Sequence, residues 1–218
     1  MTAAPDALSC KAHPKGCPPE CLIYATELEA ALHYVARGWR VLPVKPGTKA
    51  AALPKWPERA TTDHAKVAEW WGEGGEYVRH GVGIATGPAS GVFVVDIDVK
   101  GEAGGDATLA ALEAKHGALP ATAKVETPSG GWHLYFTYPE GLEIRNEAGK
   151  RLGKGIDVRG AKDGKAAGYV VAPPTMLGIE DGYEWGEGSA GEVLEAPRTS
   201  IPLPRRLPAS LRISSPSG

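Results

Sequence analysis

Apolar positions in "ATELEAALHYVARG" fall near helical spacing at Leu28, Leu32 and Val35, and Gly38 supplies a stop, so the pattern predicts a helix. "TTDHAKVAEWWGE" opens with good N-cap residues and stacks Val67, Trp70 and Trp71 on one side, which predicts a second. "GDATLAALEAKHG" reads as a third, capped by Asp106 and stopped by Gly117. Short apolar runs predict strands in "WRVLPVK", "GVGIATG", "GVFVVDID", "AKVET", "WHLYFTY", "GIDVRG", "GYVVAP" and "YEWGE". "PGTKAAALPKWPERA" reads as a loop rich in breakers, and "PASG" as a turn between two strands. This order predicts an α+β fold with helices packed on a mostly antiparallel sheet.

The chain has 218 residues, enough for one large or two small domains. Its 42% apolar and 23% charged residues are ordinary for a globular protein, and no apolar run is long enough for a transmembrane helix. With no signal-peptide core near the N-terminus, the expected compartment is the cytoplasm. A net charge of −2 excludes a globally basic nucleic-acid coat but leaves local patches open. One such patch runs from Lys150 to Lys165, with Lys150, Arg151, Lys154, Arg159, Lys162 and Lys165 against only Asp157 and Asp163. It suits phosphates, or is simply a solvated hairpin with surface lysines.

Candidate chemistry begins with "VVDID". Side chains alternate along a strand, so Asp96 and Asp98 share a face. Two unit charges about 4 Å apart repel by roughly 4 kcal/mol at an effective dielectric near 20. Water, a proton or a cation must relieve that, and hard divalent ions such as Mg²⁺ or Mn²⁺ take such oxygen ligands. In "TPSGGWHLYF" the turn Ser129-Gly130-Gly131 offers backbone N–H groups and a hydroxyl to an anion, and His133 follows on the next strand. In "GIDVRG" a third acid, Asp157, shares a face with Arg159. Together these are the parts for metal-dependent phosphoryl or nucleotidyl transfer. Separately, Cys10, His13, Cys17 and Cys21 form C-x2-H-x3-C-x3-C, a donor set of the type zinc takes; the alternative is a Pro-rich arm with incidental thiols.

"GIATGPASGVFVVDID", "TPSGGWHLYF" and "GIDVRG…GYVVAPPT", with "RGWRVLPVKPGTK", "ATTD…WW" and "IPLPRRLP", resemble the N-terminal bifunctional primase–polymerase (prim-pol) domain of phage and plasmid replication proteins, within the archaeo-eukaryotic primase superfamily. The resemblance runs from about Ala25 to Leu211. It implies an α/β module beside an RRM-like antiparallel sheet unit, the two forming one catalytic cleft. It implies Mg²⁺ or Mn²⁺ on Asp96, Asp98 and Asp157, and nucleotide binding by Ser129, Gly130, Gly131, His133 and Arg159. Many members have Ser where this chain has Gly131, which leaves Ser129 or the Gly131 amide to replace the hydroxyl. The implied partners are single-stranded DNA and dNTP or NTP in a bacterial host.

The expected layout is an arm at 1–24 with the possible zinc site, a catalytic domain at 25–211, and a linker at 212–218 leading to a helicase-like domain. Two rival readings are a primase-like module that only binds single-stranded DNA and a D-x-D glycosyltransferase. The first would be marked by a lost carboxylate, and all three are present. The second leaves the His133 turn and "GIDVRG" unexplained.

Overall fold

Val92–Val95 places four apolar residues in a row, and a strand of that kind needs cover on both faces. The computed structural model, which describes residues 26–186 and the backbone of two short strands at 194–195 and 205–206, supplies it. Helix α1 (Glu27–Ala36) leads to β1 (Val41–Val44), a short α2 (Trp56–Arg59), α3 (His64–Trp71) and β2 (Gly81–Ala85). A 3₁₀ turn at Pro88–Ser90 connects to β3 (Val92–Ile97), then α4 (Gly105–His116), β4 (Lys124–Glu126) and β5 (Trp132–Thr137). Next come β6 (Glu143–Ile144), β7 (Glu147–Ala148), β8 (Ile156–Arg159), β9 (Ala161–Lys162) and β10 (Lys165–Ala166). The remaining strands are β11 (Tyr169–Ala172), β12 (Glu184–Trp185), β13 (Leu194–Glu195) and β14 (Arg205–Arg206).

The result is a mixed α+β architecture built on antiparallel sheets. A three-stranded sheet has the order β1-β2-β11, and a larger one runs β12-β4-β5-β3-β8-β7, with β13 joining β5 in parallel. One face of β3 (Val92, Val94) joins the core shared with α1, α3 and the smaller sheet; the other (Phe93, Val95, Ile97) packs with Phe136, Ile156 and Val158, and Leu109 and Leu112 of α4 lie against it. Among the described residues no helix is long and apolar enough to cross a membrane. Cys10, His13, Cys17 and Cys21 lie outside the described residues.

Several expectations change. The buried stripe of α1 is Ala30, Ala31, Tyr34 and Val35, with Leu28 and Leu32 only half-buried beside it. The breaker-rich loop contains α2, whose first turn holds Pro57 where proline costs no hydrogen bond. Asp106 lies inside the first turn of α4; the N-cap is Gly104, whose φ of 63° suits glycine. The strands flanking "PASG" do not pair as neighbours but enter different sheets. Strand β3 ends at Ile97, so Asp98 stands just past it.

Gly131 sits where the 127–131 turn crosses the end of β3. A Cβ there would run into the Ile97 carbonyl, with the Asp98 Cα 3.4 Å away. A side chain at this position meets backbone at close range, so the turn must shift to accept one. Gly131→Ala should cost about 1–3 kcal/mol. In a chain this long that lowers Tm by roughly 2–12 °C, measurable by calorimetry; an unchanged Tm would show that the turn yields freely.

His33 on α1 is held down to about 4, first by burial and then by the nearby Arg37 charge. In the unfolded chain it titrates near 6.5. Between those values the unfolded chain binds the proton and the folded one does not, so stability falls as pH drops through that window. His33→Gln should flatten the fall of Tm between pH 6.5 and 4, and an identical pH profile in the variant would contradict this.

Candidate active site

Antiparallel register aligns the candidate residues. Asp96 on β3 is the cross-strand partner of His133 on β5 and of Asp157 on β8. The three side chains thus stand in one row on one face of the larger sheet. That face looks toward the smaller sheet, and the space between forms a cavity of about 610 Å³. Its lining includes Asp96, Asp98, Asp157, His133, Ser129 and Arg159. The structure thus brings these six to one cleft, whereas Gly130 and Gly131, also expected there, are not among its lining residues.

Asp98, past the strand end, is fixed through its backbone. Its N–H donates to the Gly155 carbonyl at 2.8 Å, and its carbonyl accepts from the Gly105 N–H at 3.0 Å. A Cβ on either glycine would collide with this junction, so close approach demands glycine at both positions. The Asp98 Oδ1 accepts from the Lys100 N–H at 2.9 Å, which closes a local turn.

The charge in the row is relieved by Arg159. Its Nη2 donates to Asp157 Oδ2 at 2.8 Å and to Asp96 Oδ2 at 3.2 Å. Asp157 is nonetheless pushed above the ordinary carboxylate range by burial, against the pull of Arg159 and with the help of Asp96, Glu147 and Asp98. His133 is buried, and burial lowers it to about 4; Arg159 and Lys49 push the same way while Asp96 opposes them. It is therefore neutral at pH 7. Its Nε2 lies 3.6 Å from Asp96 Oδ1, too far for a hydrogen bond and, with a neutral ring, no ion pair. Its Nδ1 is buried with no hydrogen-bond partner among the described residues. Tyr183 packs on the ring at 5.7 Å between centroids and Tyr135 at 6.5 Å.

Ser129 belongs to a tight turn: its hydroxyl lies 3.1 Å from Thr127 Oγ1, and Thr127 exchanges backbone bonds with Gly130 and Gly131. The basic stretch divides. Lys154 and Arg159 line the cleft, while Lys162 and Lys165 pair across the exposed β9–β10 hairpin. Sequence reasoning missed Lys49, Tyr169, Tyr183 and Gly105. Lys49, Tyr169 and Tyr183 reach the cleft from segments that only folding brings near.

The donor set suits a hard divalent ion, since three carboxylates face one polar cleft. Among the described residues, no three His, Cys, Asp or Glu side chains are gathered closely enough to hold a metal as they stand. Arg159 occupies carboxylate oxygens that such an ion would take.

No curated protein matches the chain. The family model for the N-terminal domain of bifunctional DNA primase/polymerases matches residues 31–199, a span that holds every cleft residue named above, and the chain belongs to that family.

Proposed function

We propose that this domain is a DNA primase/polymerase that joins nucleotides on a single-stranded DNA template by nucleotidyl transfer, within an archaeo-eukaryotic primase-like fold. The observation that carries the reading is the in-register row His133–Asp96–Asp157, open to one cavity with Asp98 at its edge. Asp96, Asp98 and Asp157 would hold Mg²⁺ or Mn²⁺, which when bound lowers the pKa of the attacking hydroxyl and stabilises the departing pyrophosphate. Arg159 would turn from the carboxylates to the phosphates as that charge arrives. A guanidinium suits both partners, since it forms paired hydrogen bonds to either oxyanion. His133, neutral and clamped by Tyr183 and Tyr135, would hydrogen-bond a phosphate oxygen from a fixed position. Ser129 and the Gly131 amide would border the same nucleotide, the Gly130 amide being taken by the Thr127 carbonyl. A cavity of about 610 Å³ is within the range of small-molecule sites.

Primed-template extension with labelled dNTP and Mg²⁺ or Mn²⁺ tests the reading. Asp98 is exposed, so Asp98→Ala should leave Tm within about 2 °C of wild type. Extension should fall more than about a hundredfold, because a metal ligand is lost. Near-normal extension by the folded variant would sink the metal assignment, and wild-type protein that binds single-stranded DNA without extending it would favour a binding module.

His133→Ala should lower catalytic efficiency for dNTP about ten- to a hundredfold per folded molecule, the worth of one hydrogen bond to a charged group. Single-stranded DNA affinity should be unchanged. A defect confined to Tm would make the histidine purely structural.

A further inference from the structure

The wall opposite the acids carries a cation that the reading above does not use. Lys49 lines the cavity from the loop after β1, together with Tyr169, Val170 and Val171 of β11. The loop is closed by its own hydrogen bonds: Lys45 N–H donates to the Ala50 carbonyl at 2.8 Å, and the Thr48 hydroxyl donates to the Lys45 carbonyl at 2.9 Å. Tyr169 then ties it to the smaller sheet. Its hydroxyl donates to the Lys49 carbonyl at 2.7 Å and accepts from the Ala51 N–H at 2.8 Å. The tyrosine is itself fixed. Trp56 meets it edge-on at 4.8 Å, and a Cβ on Gly83 would press on its ring at 3.2 Å. A lysine carried on such a loop has its base held still while its ammonium stays mobile.

The other cations of the lining have acidic neighbours. Arg159 bridges Asp96 and Asp157, and Lys154 lies 3.9 Å from Glu102. Lys49 has no carboxylate partner among the described residues. Its charge is felt at His133, deep in the cleft. An ammonium at the border of a cleft, across from acids suited to a divalent ion, calls for a ligand with more negative charge than the ion neutralises.

We propose that Lys49 is a phosphate subsite for the β- and γ-phosphates of the incoming nucleoside triphosphate, and that Tyr169 is the positioning residue that holds its loop. This rests on the nucleotidyl-transfer reading of the same cleft. The nucleotide tail is favoured over a template phosphate because Lys49 lines the same cavity as Asp96, Asp98 and Asp157. A lysine also suits this role as a compact point charge that follows the phosphates through the reaction.

Equilibrium binding of dATP, dADP and dAMP in Mg²⁺, and of a single-stranded oligonucleotide, tests the assignment on the full chain. Lys49→Gln should weaken dATP about tenfold or more, weaken dADP less, and leave dAMP, oligonucleotide affinity and Tm unchanged. Lys49→Arg should restore most of the dATP affinity. Tyr169→Phe, which loses both bonds to the loop, should weaken dATP about three- to tenfold with dAMP again unchanged. Equal losses for dATP and dAMP, or a loss confined to the oligonucleotide, would overturn the subsite. Wild-type protein that binds no dATP at all would overturn the nucleotidyl-transfer reading and the subsite with it. Wild-type binding that Lys49→Gln leaves intact would overturn the subsite alone.

Discussion

The register of three strands governs the cleft. Asp96 pairs with His133 on one side and with Asp157 on the other, across sequence separations that no local preference spans. A slip of one residue on β8 would turn Asp157 and Arg159 to the opposite face and bring Ile156 and Val158 into the row. The apolar pattern prevents it, because those two residues belong with Phe93, Val95 and Ile97 in the core beneath α4. The burial of one face thus fixes the chemistry of the other.

That arrangement has an electrostatic cost, which the fold offsets in two ways. Arg159 shares its guanidinium between two carboxylates. Asp98 sits beyond the strand end, in contact with solvent, held by backbone bonds to Gly155 and Gly105 and not by packing. The shared guanidinium explains how Asp96 and Asp157 can stand side by side.

The smaller sheet has a separate role. It buries the aromatic layer of Tyr34, Trp39 and Tyr135, whose rings stack in series at 5.8 and 5.6 Å, and so supports the floor below His133. Its edge strand β11 forms the opposite wall of the cleft and, through Tyr169, carries the loop with Lys49. The two sheets therefore share one apolar core and also border one polar cleft.

The sequence by itself determined the longer elements and where candidate chemistry falls along them, but not α2 or the two-residue strands β6, β7, β9 and β10. Alternation in "VVDID" and "GIDVRG" put each acid on a definite side of its own strand, and the apolar runs showed how much burial each strand required. Motif order in "TPSGGWHLYF" marked His133 before any geometry was known. Only the tertiary structure decided that His133, Asp96 and Asp157 lie side by side, because strand pairing joins residues distant in the chain. It also decided that His133 is neutral and that Asp157 is pushed upward, since desolvation and the reach of Arg159 depend on distance and burial, not on residue type. The crowding at Gly131 came from the Ile97 carbonyl crossing it, and the place of Lys49 came from a tyrosine 120 residues away. Contacts of this kind leave no local pattern, because each is made by two segments that are ordinary when read alone.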